Sequence, residues 1–320
     1  MPSATRPFKV AILDDYQRVA LKFADWSAVE ARASIDVFSD TITDPDALVA
    51  RLLPYDVICI MRERTPLSGA IIGRLPNLKM IASTGAKNGS IDTNATQARN
   101  IPVENTKGGV TAPTELTWAL IQASARHVTF EAAALRAGGW QTTVGDELNG
   151  RTLGILGLGR IGSKIAQIAR VFDMEVITWS DRVTEEEAGK AGATIVTKDE
   201  LFARSDILTI HLVLVDATRG LVGAGELAQM KPTAWLVNTS RGEITDEAAL
   251  VRALRAGKLA GAALDVFGTE PLPADHPFRT LPNVVATPHL GYVSRQQYRV
   301  FYGDNARSVA AWLEKQAAAS

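Results

Sequence analysis

Residues 153–182 read LGILGLGRIGSKIAQIARVFDMEVITWSDR, with Gly157, Gly159 and Gly162 in the spacing G-x-G-x-x-G. Three glycines at that spacing decide little alone, so their setting matters. Here they follow the apolar run RTLGIL, open the helical pattern RIGSKIAQIARVF, and lead into a second apolar run, MEVITW. That is a strand–turn–helix–strand unit of about 30 residues, the length of a dinucleotide-binding βαβ unit. Gly157 suits the tight turn, Gly159 a close approach of pyrophosphate to the backbone, and Gly162 close packing of helix on strand. The start of the helix then offers unpaired N–H groups and a positive dipole end to phosphates.

The end of the second strand chooses between the two nicotinamide dinucleotides. An acid there accepts hydrogen bonds from a ribose 2′-hydroxyl, and an arginine accommodates a 2′-phosphate. The chain carries Ser180, Asp181 and Arg182 at this turn. Asp181, one residue late, favours NAD, while Ser180 with Arg182 leaves NADP open.

Outward from this unit, short β-branched runs alternate with helical patterns along the chain. FKVAILDD, SIDVFSD, YDVICIM, LKMIAST and IPVENT form a first series of strands. TLGILGL, EVITWS, ATIVT, ILTIHL, AWLVNTS, GAALDVF and NVVATPH form a second. Such alternation predicts parallel sheets with right-handed crossovers. One helix, residues 114–137, connects the two series. A late amphipathic helix after NVVATPH is expected to return to the first sheet. The fold class is therefore α/β with two Rossmann-like domains, a nucleotide-binding domain (105–291) inserted into a flavodoxin-like substrate domain (1–104 and 292–320).

The chain's 320 residues suit two domains at about 100–200 residues each. With 34 basic and 35 acidic side chains the net charge is −1, which argues against a nucleic-acid or membrane-surface partner. No signal-peptide pattern and no membrane-length apolar run occur, so a cytoplasmic protein is expected. Cys59, the single cysteine, lies in an apolar run and reads as a core residue. No metal-ligand pattern stands out.

Three later segments, NTSRGEITDEAAL, GAALDVFGTEPLP and NVVATPHLG, place Arg241, Glu270 and His289 just beyond strand ends of the second series. In open α/β sheets ligands bind outside those ends. Hydride reduction of a 2-oxo acid leaves charge on the carbonyl oxygen, which needs a proton. His289 suits the acid, Glu270 the carboxylate that favours its charged form, and Arg241 the fork that grips a carboxylate and polarises the carbonyl. The other histidines read otherwise: His127 as structural within the connecting helix, His276 as a turn residue, and His211 as a wall of the cofactor crevice.

These segments resemble the D-isomer-specific 2-hydroxyacid dehydrogenases, a family that includes phosphoglycerate, glyoxylate/hydroxypyruvate and D-lactate dehydrogenases. The likeness runs over nearly the whole chain and rests on ELNGRTLGILGLGRIG, NTSRGEITDEAALVRALRAGKLAGAALDVFGTEPLP and PHLG. It implies catalytic roles for Arg241, Glu270 and His289. It implies cofactor contacts at Arg160, Ile161, Ser180, Asp181, the loop after His211, Thr239 and Asp265, the last toward the nicotinamide carboxamide. STGAKNGSID corresponds to the family's carboxylate-binding loop, which puts the N–H groups of Ala86, Lys87 and Asn88 on the substrate. The basic segment MRERTP brings Arg62, with Arg64 a further candidate, near the same pocket, unless both arginines point to solvent or pair with Glu63. A homodimer with the 114–137 helix at its contact is also implied. Crowded polar groups around the loop favour glyoxylate or hydroxypyruvate as substrate. Formate or phosphite dehydrogenases share the fold, as do NAD-sensing corepressors. Formate dehydrogenases resemble this pattern with glutamine where Glu270 stands.

Overall fold

A computed structural model describes residues 7–180 and 182–318. It divides into two compact units: one runs to Gly109 and resumes at Val293, the other is Val110–Tyr292. The sequence places these breaks at 104/105 and 291/292. The first unit extends further because its connecting strand stays tied to it: Thr106 N–H donates to Ser83 O, Lys107 N–H to Asp304 and Gly109 N–H to Gln297.

The outer unit holds β1 (Phe8–Ile12), β2 (Ala33–Val37), β3 (Val57–Ile60), β4 (Met80–Ser83) and β5 (Val103–Asn105), all parallel, in the order β2-β1-β3-β4-β5. β3 and β4 are buried along their whole length, as the apolar runs VICI and MIA require of central strands covered on both faces. β2, at the edge, alternates. The helix Pro45–Leu52 covers one face; Asp44 caps it by accepting from Ala47 N–H at 2.8 Å. The helix Arg295–Ala318 covers the other, with Phe301, Tyr302, Val309 and Leu313 buried and Trp312 edge-on to Phe8.

The inner unit holds β6 (Thr152–Leu156), β7 (Glu175–Trp179), β8 (Thr194–Ile195), β9 (Ile207–Ile210), β10 (Trp235–Asn238), β11 (Gly261–Leu264) and β12 (Val284–Ala286). Their order is β12-β11-β10-β9-β6-β7-β8, again all parallel. The chain steps outward from β6 to β8, then returns to lay β9 against the other side of β6. That reversal is the topological switch point of a doubly wound sheet. Two apolar layers sandwich it, one around Leu156, Phe202, Ile210, Leu236 and Leu264, the other around Ile155, Ile165, Trp235, Val237 and Ala263.

Register levels the strand ends. Leu156 pairs with Ile210, Ile210 with Asn238, Asn238 with Leu264, and Leu264 with Ala286. Gly157, His211, Thr239, Asp265 and Thr287 therefore leave the sheet in one row.

The connecting segment is two helices where the sequence predicts one: Thr111–Ala125 and Val128–Arg136. His127 separates them in the left-handed region (φ 50°), its ring packed 6.0 Å from those of Phe130 and Trp235. The first helix also begins two residues before Pro113, which its opening turn accommodates because no intrahelical N–H is lost there. No helix among the described residues is long and apolar enough to cross a membrane.

Candidate active site

The glycine turn joins β6 to the helix Arg160–Val171. Gly157 has φ +102°, and a Cβ there would meet Leu212 Cδ2 at 2.8 Å and the His211 carbonyl at 3.0 Å. A Cβ on Gly162 would collide with Gly157 O. A Cβ on Gly159 would meet nothing within 4 Å, so the backbone lies open on that side. The first intrahelical bond runs from Ser163 N–H to Gly159 O at 2.9 Å, which leaves the N–H groups of Arg160, Ile161 and Gly162 without an intrahelical acceptor. Two glycines build the turn and the third leaves room beside free donors, so this cradle fits a pyrophosphate.

Ser180 follows β7 and accepts from Arg182 N–H at 3.2 Å, so both belong to one turn. Asp181 lies outside the described residues. His211 follows β9 and shares a 3.0 Å hydrogen bond between Nε2 and Thr209 Oγ1. Burial pushes its ring down to about 4, which keeps it neutral and unsuited to proton donation near neutrality. Thr239 Oγ1 lies 2.7 Å from Thr117 Oγ1.

The catalytic candidates converge within the inner unit. His289 Nδ1 is 2.7 Å from Glu270 Oε2, although 19 residues separate them. An ionised carboxylate only accepts, so Nδ1 carries the shared proton and Nε2 is the position left to deliver one. Glu270 is itself oriented, since Oε1 accepts from Phe267 N–H at 3.0 Å. Arg241 sits in the turn after β10. Asn238 Nδ2 donates to Arg241 O at 2.9 Å, and Arg241 Nη1 donates to Ser240 O at 2.8 Å. Next to it, Gly242 abuts the backbone of Phe267 and Gly268, which a Cβ would strike. The arginine turn thus rests on the loop that carries Glu270.

Asp265 is fully buried. Oδ1 accepts from Thr287 Oγ1 and Leu290 N–H, both at 2.6 Å, and Oδ2 from Gly291 N–H at 2.8 Å. Burial raises its carboxyl above the usual range, against the pull of those donors and of His289 nearby. In the structure its carboxylate clamps the turn that carries His289, itself left-handed at φ 52°. Asn238, Gly242 and Thr287 were not singled out in the sequence. Their signal was position, each lying within a residue or two of a strand end or a catalytic candidate.

His276, read as a turn residue, caps Phe278 N–H and pairs with Glu247 at 2.9 Å. Cys59 is buried, and desolvation pushes its thiol up to about 12, consistent with a core role.

In the outer unit, the loop after β4 carries Ala86 and Lys87 exposed and Asn88 half-buried. The Asn88 side chain points inward, donating from Nδ2 to Arg62 O at 2.6 Å and accepting from Ser90 N–H at 2.9 Å. Arg62 N–H donates to Thr84 Oγ1 at 2.8 Å, and the guanidinium lies so close over Gly85 that a Cβ there would overlap Nη1. Arg62 also pairs with Glu63 at 3.5 Å. The basic segment and the loop are therefore one assembly, and Arg62 is not turned away from it.

The family model for the D-isomer specific 2-hydroxyacid dehydrogenase NAD-binding domain matches residues 118–291. A glyoxylate reductase of Aeropyrum pernix is 43% identical over 236 residues, covering 71% of this chain and 70% of that protein. A D-3-phosphoglycerate dehydrogenase of Archaeoglobus fulgidus is 38% identical over 254 residues, covering 78% of this chain and 48% of that protein. The match thus spans about half the length of that larger relative. The crystal structure of a phosphoglycerate oxidoreductase from Vibrio cholerae superposes with a TM-score of 0.91 at 38% identity, over 96% of this chain and 99% of that one.

Proposed function

The chain belongs to the D-isomer-specific 2-hydroxyacid dehydrogenases, NAD-dependent enzymes, and we propose that it interconverts a small, polar 2-oxo acid of the glyoxylate or hydroxypyruvate class and its D-2-hydroxy acid. The observation that carries this reading is the 2.7 Å Glu270–His289 pair, held level with the glycine cradle by strand register. Bound NADH would supply the hydride. His289 Nε2 delivers the proton that the carbonyl oxygen then needs, and takes it back in the oxidative direction. Glu270 orients the ring through Nδ1. Arg241 grips the carboxylate and draws charge onto the carbonyl oxygen. In the outer unit, the N–H groups of Ala86, Lys87 and Asn88 are assigned to the acid's carboxylate and Arg62 to its polar tail. On the cofactor side, Gly157, Gly159, Arg160, Ile161 and Gly162 receive the pyrophosphate, with Ser180, Arg182, His211, Thr239 and Asp265 around the remainder.

A panel of 2-oxo acids, with formate and phosphite for the reverse direction, tests this with NADH, NADPH and their oxidised forms. Highest kcat/KM with glyoxylate or hydroxypyruvate and NADH is expected. Preference for branched or aromatic oxo acids, or turnover of formate or phosphite alone, overturns the substrate class.

A second copy of this chain is the proposed partner. The helix Val128–Arg136 has no fully buried side chain, and the segment that follows is bound along it, Thr142 and Thr143 donating to Glu131. Val128, Leu135, Trp140 and Val144 stand exposed there, an apolar surface of the kind that protein interfaces cover.

A further inference from the structure

Asp14 follows β1 at the same end of the outer sheet as the carboxylate loop follows β4. It is 2% exposed and sits in the left-handed region at φ 58°. Its Oδ2 accepts from Thr65 Oγ1 at 2.7 Å, a bond between residues 51 apart in the chain. Its Oδ1 accepts from Thr41 Oγ1, which also lies 2.5 Å from Tyr16 Oη. Burying a carboxylate costs free energy that an apolar side chain would avoid. Here burial does push the Asp14 carboxyl up, against the two threonine hydroxyls and the charge of Arg64.

What that carboxylate holds is the basic segment. Residues 62–65 are fastened at their start to the β4 loop, through Arg62 N–H to Thr84 Oγ1 and Asn88 Nδ2 to Arg62 O. At their end they are fastened to Asp14 through Thr65, itself 2% exposed. The segment so held carries Arg62, whose guanidinium lies over Gly85, and Arg64, whose charge reaches Asp14.

We propose that Asp14 is a positioning residue for substrate selectivity: through Thr65 it holds the Arg62–Thr65 segment so that Arg62 meets the polar tail of the oxo acid. The proposal rests on the reading that Arg62 contacts substrate. It assigns selectivity to a residue that touches no substrate atom.

The test compares the smallest accepted 2-oxo acid with the best polar-tailed one, glyoxylate against hydroxypyruvate on the present reading, in Asp14→Asn, Thr65→Val and Thr65→Ser. Thr65→Val removes one hydroxyl at nearly constant volume, so a rise of about five- to tenfold in KM for the tailed acid is expected, the size of one hydrogen bond. KM for the smaller acid, kcat and NADH affinity should stay within about twofold, and Thr65→Ser, which keeps the hydroxyl, should behave as wild type. Equal KM shifts for both acids, or a fall in kcat that tracks thermal stability, would show a purely structural role and overturn the proposal. Arg62→Ala separates the two levels of failure. If it raises KM while Thr65→Val does not, only the role of Asp14 falls. If it leaves both KM values unchanged, the substrate reading of Arg62 fails and this proposal with it.

Discussion

In the proposed function the histidine–carboxylate pair carries the chemistry, and its two members make separable predictions. His289→Ala removes a proton donor needed mainly in the transition state, so kcat should fall by ~10²–10⁴ while NADH binding, read by fluorescence titration, is kept. Glu270→Gln removes the charge but keeps the shape, and a smaller fall in kcat with NADH binding again unchanged is expected. Near-native turnover of the alanine variant would remove His289 from the proposed role. Both residue types, and their places just past strand ends, were legible in the sequence. Their pairing is expected from their chemistry, but its geometry is not: it needs His289 in the left-handed region and Glu270 held by Phe267 N–H, and neither condition leaves a mark in hydrophobic pattern. The same holds for Asp265. Its place after β11 was legible, and its hold on the turn at 287–291 was not.

The strand–turn–helix unit separates cofactor binding from stability. Gly162→Ala drives a methyl into Gly157 O, and should destabilise the protein by roughly 1–3 kcal/mol, seen as a lower unfolding midpoint. Gly159→Ala meets open space and should leave that midpoint unchanged, yet weaken NADH binding about tenfold or more by placing a methyl where pyrophosphate approaches the backbone. Equal effects of the two substitutions on stability would contradict the division of labour. This unit could be read directly because its signals are local: a glycine turn, an amphipathic helix and two apolar runs within about 30 residues. The connecting segment could not be read as well. Its apolar pattern continues through 126–127, while the break at His127 comes with ring packing against Trp235, more than a hundred residues later.

For the molecule as a whole, the exposed apolar side chains on 128–144 bear on assembly. Trp140 is 77% and Val144 93% exposed, apolar area that a partner surface would remove from water. Light scattering should give twice the 34.3 kDa chain mass, and Leu135→Glu with Val144→Glu should shift it toward the single chain. A monomeric wild-type protein would refute the dimer. Composition and periodicity were enough to place every strand of both series in chain order and the nucleotide turn after the first strand of the second. They also placed a basic, an acidic and an imidazole side chain beyond later strands. Those features are encoded within stretches of a dozen residues, where period, turn chemistry and burial act on neighbours. Which side chains meet was settled by folding. Arg62 over Gly85, Asp14 on Thr65, Gly242 against Phe267 and Glu270 on His289 join residues from different loops. Such contacts form only when strand register levels the ends of a parallel sheet and the turns beyond those ends take one particular set of backbone angles.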